Sequence, residues 1–294
     1  MTAMTAEKAL TAALKQADTR PADVSHEGSE GRTADKNKAE AALTAENLTF
    51  AYQGSPLPVI EHLSFCIPPK EITVIQGPSG SGKTTLLRLS AGLLAPTAGL
   101  LCWQQDGARI PADEICQYLS YVPQEPHLFN ATLAENVSLT FGNECAACPA
   151  KQEQRVKAAL QKVSLLDWAN ALPQGLSTRL GEGGQNLSQG QRKRLGLARA
   201  VYQDRPFVLL DEPTAALDSK TSAEIREALL TFAKGRTLVL VSHDQELQRL
   251  AAKVITISPV EQQNFISAKD VKNKNRTDAK QSVSSECPER GASE

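Results

Sequence analysis

An eight-residue, glycine-rich segment constrains the fold of this chain more than any other feature. It fits the pattern G-x-x-x-x-G-K-[ST], after a β-branched apolar run at Ile72–Ile75 and before a helix-like repeat. A strand, a glycine turn and a helix N-terminus together present backbone N–H groups that suit a phosphate. Lys83 is expected to reach the β- and γ-phosphates, and the Thr84 hydroxyl to ligate Mg²⁺. The segment predicts a nucleoside triphosphate site at Gly77, Pro78, Ser79, Gly80, Ser81, Gly82, Lys83, Thr84 and Thr85.

Two adjacent carboxylates follow a second apolar run, at Phe207–Leu210. An aspartate at the carboxyl end of a strand beside a phosphate loop is placed to hold Mg²⁺. Asp211 is therefore a predicted magnesium ligand. The neighbouring Glu212 points differently and is the predicted general base for an attacking water.

Strand and helix patterns alternate through the second half of the chain. Predicted strands at Phe207–Leu210, Thr237–Val241 and Val254–Ile257 are separated by predicted helices at Ser219–Phe232 and Gln245–Ala252. Such alternation indicates a mainly parallel sheet with helices on both faces. The predicted fold class is α/β, a P-loop NTPase.

Four other regions complete the predicted organisation. Early strands at Leu48–Tyr52 and Val59–Ile67 form an expected N-terminal antiparallel β region, and residues 130–190 form an inserted helical subdomain. Residues 1–43 and 261–294 contain too few apolar side chains to offset their ordering entropy, so we expect a disordered polar leader and tail. The folded domain is then expected to span residues 44–260.

Bulk composition excludes several classes of protein. The formal net charge of −1 gives no overall attraction to nucleic acid, and no nucleic-acid partner is expected. The longest apolar stretches are well short of a membrane span. Six scattered cysteines are ordinary intracellular usage and not a disulfide scaffold.

The segment Leu187–Gln191 brings these features into one family. Its sequence, LSQGQ, resembles the LSGGQ signature of the ATP-binding cassette (ABC) nucleotide-binding domain, with Gln189 in place of the first signature glycine. Ser188 and Gly190 open a predicted helix, which is a second phosphate-binding N-terminus. The resemblance implies that two such domains bury two ATP molecules head to tail, each site completed by the partner's signature residues Ser188, Gln189, Gly190 and Gln191.

The resemblance extends to other landmarks, from about residue 48 to residue 257. It implies that Tyr52 stacks on adenine, that Gln124 senses Mg²⁺ and the attacking water, and that His243 contacts the γ-phosphate. With Lys83 and Glu212, Gln124 and His243 form the catalytic set that the resemblance implies. Thr84, Gln124 and Asp211 are the implied Mg²⁺ ligands.

Two segments are similar to the exporter branch of the family. They are Gln124–Val137 and Thr178–Gly184, which in that branch meet the membrane domain. The expected function is therefore an ATP-hydrolysing transporter subunit at the cytoplasmic face of a membrane, powering a separate transmembrane permease subunit. Its second ATPase domain is an identical or a different chain.

Two alternatives remain open from the sequence. One is a soluble ABC ATPase outside transport, such as a repair, translation or assembly factor. The other is a module that holds ATP without hydrolysing it, which Gln189 favours and the carboxylate pair and His243 oppose. Neither the transported substrate nor the choice between homodimer and heterodimer can be inferred from the residues.

Overall fold

The centre of the molecule is formed by β-strands, in which successive side chains point to opposite faces of the sheet. The computed structural model describes residues 42–55, 57–141, 149–181, 187–258 and 268–270, all within one compact unit of residues 35–294. The strands, in chain order, are β1 (Leu43–Phe50), β2 (Ile60–Ile67), β3 (Ile72–Gln76), β4 (Ala98–Gln105), β5 (Ala108–Arg109), β6 (Leu119–Val122), β7 (Ala131–Thr132), β8 (Arg179–Leu180), β9 (Phe207–Asp211), β10 (Thr237–Val241), β11 (Lys253–Thr256) and β12 (Ala268–Asp270).

The helices lie mostly in the connections between these strands. In chain order they are α1 (Lys83–Ser90), α2 (Ile115–Tyr118), α3 (Leu133–Ser138), α4 (Pro149–Lys162), α5 (Leu166–Asn170), α6 (Gln189–Gln203), α7 (Ser219–Ala233) and α8 (Gln245–Leu250). A short 3-10 turn covers Gly175–Ser177. Within the described ranges, no helix is both long and apolar enough to span a bilayer.

A parallel sheet with the order β11-β3-β10-β9-β6 forms the core, and β12 adds an antiparallel strand beside β11. Successive residues of its strands face opposite sides. Val208 and Leu210 of β9 pack into one apolar cluster, whereas Phe207 and Leu209 pack into another. Both faces are therefore buried, as expected for a parallel sheet covered by helices.

An antiparallel sheet with the order β2-β1-β4-β5 lies on one side of this core. Its apolar residues share a cluster with Leu86 and Leu87 of α1 and with the parallel sheet. The other face of the parallel sheet meets the helical region, where α6 packs against α3 and α4. The predicted α/β fold, with an N-terminal antiparallel region and an inserted helical part, is confirmed.

Some boundaries differ from the predicted ones. The strand expected at Leu48–Tyr52 begins at Leu43, because Leu43 and Ala45 bury their side chains against β2 and β4. Residues 268–270, inside the segment predicted to be a disordered tail, pair with the exposed edge of β11, a backbone interaction that composition does not reveal. Residues 1–41, Glu182–Gly184 and most of the predicted tail lie outside the described residues.

Candidate active site

The carboxyl ends of four parallel strands bring the predicted site residues to one edge of the sheet. The phosphate loop follows β3, Gln124 follows β6, Glu212 follows β9 and His243 follows β10. Parallel strands end on the same side, so residues far apart in sequence meet there. The candidate site is therefore a product of the sheet's topology.

The phosphate loop wraps tightly around the start of α1. Gly82 is the residue before α1 and has a φ of 91°, in the left-handed region that favours glycine. A Cβ on Gly77 would lie 2.2 Å from the carbonyl oxygen of Ile257. The Lys83 ammonium donates to the carbonyl oxygens of Gly77, at 2.9 Å, and Pro78, at 2.7 Å. The loop is thus held in a curve whose interior can accept a phosphate.

Asp211 and Ser81 carry buried polar atoms without a partner among the described residues. The Asp211 side chain is almost fully buried, and its Oδ1 has no hydrogen bond there; neither does Ser81 Oγ. Burial raises the pKa of Asp211, and a hydrogen bond from Thr84 opposes that rise. A cation with oxygen ligands and an anionic phosphate would satisfy these groups, so this pocket fits Mg²⁺ with a nucleotide.

The Glu212 carboxylate lies between two other predicted catalytic residues. Gln124 Nε2 donates to Glu212 Oε2 at 3.1 Å, and His243 Nε2 lies 3.9 Å from Glu212 Oε1. The Glu212 N–H donates to the carbonyl oxygen of Val241 at 3.0 Å, which fixes the strand end. Each oxygen of the carboxylate therefore faces a different polar group.

A model of the ABC transporter family matches residues 60–215, a little over half of the chain and including the phosphate loop and the carboxylate pair. The chain belongs to the ABC transporter family. The soluble alternative outside transport is not favoured by any of the comparisons below.

Curated relatives place this ABC domain in the exporter branch. An ATP-dependent lipid A-core flippase of Paraburkholderia xenovorans (strain LB400) is 37% identical over 220 residues, which cover 73% of this chain and 35% of the relative. A protein of the same name from Burkholderia pseudomallei (strain 1710b) is 35% identical over 225 residues, 75% of this chain and 36% of the relative. The chain thus spans about a third of the length of the curated relatives it matches.

A solved structure gives the same result. A bacterial Atm1-family ABC exporter with ATP bound superposes with a TM-score of 0.64 and 29% identity, over 74% of this chain and 38% of that one. The predicted family and its exporter branch are confirmed: this is an ABC ATPase domain of exporter type.

Tyr52 lies beside the phosphate loop of the ABC domain. Its hydroxyl is 3.0 Å from Thr85 Oγ1, and its ring meets the Phe50 ring edge-on at 4.9 Å between centroids. The residue is 39% exposed. This placement brings the predicted adenine-stacking residue and the predicted binding residue Thr85 together.

The signature residues form the N-terminus of α6. Ser188 is the N-cap: its Oγ accepts from the Gln191 N–H at 3.1 Å, and Gln191 Oε1 accepts from the Ser188 N–H at 2.9 Å. The Gln191 side chain therefore has a local structural role. Gln189 is exposed and lines a groove with Pro126 and His127, whereas Gly190 faces Thr221 of α7.

The two exporter-like segments lie side by side. Strand β7 pairs with β8, with Thr132 opposite Arg179, and the Leu133 N–H donates to the Thr178 carbonyl oxygen at 2.9 Å. Thr132 also caps α3 through a reciprocal pair of hydrogen bonds with Glu135. Two stretches that the sequence analysis treated separately thus form one surface.

Several residues at the site escaped the sequence analysis. Lys193 is buried, and its ammonium donates to the carbonyl oxygen of Glu212. Asn136 and Arg199 join α3 to α6. Arg226 forms an ion pair with Asp244, the residue after His243. For Lys193 a signal was available, because three- and four-residue spacing puts it on the same helix face as Gly196, Leu197 and Ala200. A charged residue on an apolar face indicates a buried partner.

Proposed function

We propose that this chain is the ATP-hydrolysing part of an exporter-type transporter, in which two such domains close on two ATP molecules and drive a transmembrane part. The observation that carries the proposal is the position of the Glu212 carboxylate, hydrogen-bonded by Gln124 and facing His243, beside a phosphate loop. The transmembrane part belongs to the same polypeptide or to another.

The proposed chemistry assigns each residue a defined task. The phosphate-loop N–H groups and the Lys83 ammonium bind the β- and γ-phosphates. Asp211 and Thr84, with Gln124, would hold Mg²⁺, which when bound offsets phosphate charge as the terminal bond breaks. Tyr52 stacks on the adenine.

Glu212 acts on the water that attacks the γ-phosphorus. Its carboxylate accepts a proton as the water oxygen bonds to phosphorus and the bond to the β-phosphate oxygen breaks, which yields ADP and inorganic phosphate. Gln124 orients the carboxylate through Oε2, and His243 orients the water and the γ-phosphate. The signature residues Ser188, Gln189 and Gly190 bind the partner's γ-phosphate, Gln189 through its backbone N–H and not its side chain, and Gln191 holds that helix end in place.

The paired exporter segments support a membrane partner. The residues that flank β7 and α3 include Phe129, Leu139 and Phe141, each more than a third exposed on the surface of the helical part. Exposed apolar groups of this kind suit a contact with another protein element. We propose that the domain binds there at the cytoplasmic face of a membrane.

The catalytic assignment is tested by Glu212→Gln. We expect kcat for ATP hydrolysis to fall by roughly 10²–10⁴-fold, with ATP binding retained, because the amide cannot accept the proton. Near-normal turnover would remove Glu212 from the role of general base.

The transport assignment needs a separate experiment. The tagged chain is purified from detergent-solubilised native membranes, and the polypeptides that accompany it are identified. A multi-span protein that raises the ATPase rate supports the proposal, as does a longer form of the chain with its own membrane segments. A purely cytosolic partner would contradict it.

A further inference from the structure

Lys193 carries an ammonium group into the interior of the domain, directly under the predicted general base. It lies on α6, and only 7% of the residue is exposed. Its Nζ donates to the carbonyl oxygen of Glu212 at 2.7 Å and to that of Ala215 at 2.7 Å. The Ala215 N–H also donates to the Glu212 carbonyl oxygen, at 3.3 Å. One side chain thus holds both ends of the turn that follows β9.

The turn that Lys193 holds has an unusual backbone conformation. Glu212 has a φ of 47° and Ala216 a φ of 58°, in the left-handed region that non-glycine residues rarely occupy. Residues persist there only when their surroundings fix them. Two charge-assisted hydrogen bonds to the carbonyls are a strong way to do so. The direction of the Glu212 side chain follows from this backbone.

Packing alone does not account for a lysine at this position. Burial lowers the pKa of Lys193, and the charges of Glu212, Glu125 and Asp211 oppose that effect. An apolar side chain would fill the same space without the cost of desolvating a cation. The hydrogen bonds to the two carbonyl oxygens, and not packing, therefore explain why an ammonium group is buried here.

The same helix begins with the signature residues. Lys193 follows the N-cap Ser188 by five residues on α6, about a turn and a half of helix. A helix of this length moves as a rigid body, so a displacement of its N-terminus also displaces Lys193. The turn of Glu212 and Ala215 is therefore attached to the helix end that faces a partner's nucleotide in the proposed dimer.

We propose that Lys193 is a positioning residue that sets the Glu212 backbone and the following turn in register with the signature helix. This inference rests on the proposed function. When α6 closes on the ATP that the partner binds, Lys193 moves Glu212, the general base of the site in the same chain as Lys193, into place. The residue acts on the rate of hydrolysis and not on nucleotide affinity.

Methionine and glutamine provide a matched pair of substitutions. Both have four side-chain atoms along their length, but only the glutamine amide can donate hydrogen bonds to the two carbonyls. We expect Lys193→Gln to retain most of kcat, and Lys193→Met to lose roughly 10–100-fold, since a misplacement of about 1 Å can cost 10²-fold. The KM for ATP should stay the same in both. Lys162→Met, on the exposed side of α4, is the control.

Structural and positioning roles are separated by two further readouts. Cooperative melting checks that each variant folds, and amide exchange should accelerate at residues 212–216 in Lys193→Met but not in the core strand β10.

Equal kcat in the Met and Gln variants would overturn the inference, as would parallel losses in kcat and ATP affinity. If Lys193→Met does not fold, Lys193→Leu replaces it. If both unfold while Lys193→Gln keeps wild-type turnover, the role is structural and the inference is wrong. An inactive wild-type chain would overturn the proposed function itself.

Discussion

Arg226 and Asp244, the residue after His243, form an ion pair with Nη1 2.8 Å from Oδ2. Both side chains are mostly buried, at 24% and 13% exposure. The other oxygen of Asp244 accepts the N–H groups of Glu246 and Leu247 at the start of α8. The pair therefore joins α7 to the loop that carries His243.

Arg226→Met is predicted to loosen this loop and to destabilise the domain. Loss of a charged hydrogen-bond partner for Asp244 should cost about 1.5–3 kcal/mol at neutral pH. Burial acts to raise the pKa of Asp244, but Arg226 and the helix N–H groups outweigh it and hold the pKa below 3.8. The stabilisation is therefore present above pH 3.8 and lost as pH falls through the lower folded-state pKa. Denaturant melts of the wild type and of Arg226→Met, from neutral pH to below pH 3.8, measure it.

The control for that prediction is Arg249→Met. Arg249 pairs with Glu246 on the exposed side of α8, and both side chains are more than half exposed. Exposed pairs contribute less than about 1 kcal/mol. A loss of stability in Arg249→Met as large as in Arg226→Met would contradict the role given to the buried pair.

Asp211→Asn is predicted to stabilise the nucleotide-free chain and to remove its activity. The buried carboxylate has a pKa raised by burial, so its ionised form costs the folded state free energy. The favourable contribution of the protonated form is present below pH 3.8 and lost as pH rises through the raised pKa. Asparagine should gain on the order of 1 kcal/mol at pH 7.5, and less at pH 4.5.

Magnesium distinguishes the two parts of that prediction. With ATP present throughout, added Mg²⁺ should raise the melting temperature of the wild type and leave that of Asp211→Asn nearly unchanged, because the amide lacks the charge to bind the metal. A variant that is both less stable and still stabilised by Mg²⁺ would contradict the assignment of Asp211.

The fold was predictable where its signals are local. The phosphate loop between β3 and α1, and the alternation from β9 to β11, depend on spacing within a few residues. Strand β4, Ala98–Gln105, was not predicted because its first three residues are exposed and Leu100–Trp103 form a continuous apolar run without polar residues between them. Strand β6, Leu119–Val122, is too short for its pattern to be distinguished from a loop.

The site residues also fall into two groups: those that local sequence signals indicate and those that only the tertiary packing places. Lys83, Asp211, Glu212 and His243 stand in motifs or at strand ends, so sequence alone could indicate them. The role of Lys193 depends on carbonyl oxygens 19 and 22 residues away. Such contacts are set by how α6 packs on the sheet, and a pattern within one helix cannot specify them. The ion pair of Arg226 and Asp244 was missed for that reason too.

Asn136 is predicted to be a main stabilising contact of the helical part. It is 1% exposed, donates to the carbonyl oxygens of Phe129, Ala131 and Thr132, and accepts from the Phe129 N–H and from Arg199. Asn136→Leu keeps the volume but removes the acceptor of the buried Phe129 N–H and one of the three hydrogen bonds of the Arg199 guanidinium, whose bonds to the backbone carbonyl oxygens of Asn136 and His127 remain. A buried polar group that loses its partner costs about 1–3 kcal/mol, so we expect a loss of more than about 2 kcal/mol.

Arg199 makes that cost larger than for a neutral partner. Burial lowers the pKa of Arg199 to about 10, which shows how far the guanidinium is desolvated. Asn130→Leu, at an exposed position of the same segment, is the control. Equal denaturation midpoints for the two leucine variants would contradict the role of Asn136.

The signature departure at Gln189 is predicted to have little effect on turnover. The Gln189 side chain is exposed and lines the groove with Pro126 and His127, whereas the following Gly190 faces Thr221. Gln189→Gly should therefore change kcat by less than about threefold, which is below about 0.7 kcal/mol of activation free energy. By contrast, a Cβ on Gly190 would lie 2.9 Å from Thr221 Cγ2, so Gly190→Ala requires a displacement of the Thr221 side chain or of the N-terminus of α6. We expect that displacement to lower kcat about tenfold or more, since the predicted γ-phosphate contact moves with the helix end.

Steady-state ATPase assays of both variants measure this difference, and the double substitution Gly190→Ala with Thr221→Ser should recover activity because it removes the methyl group that clashes. A strong loss in Gln189→Gly with no loss in Gly190→Ala would show that position 189, and not position 190, meets the partner's nucleotide.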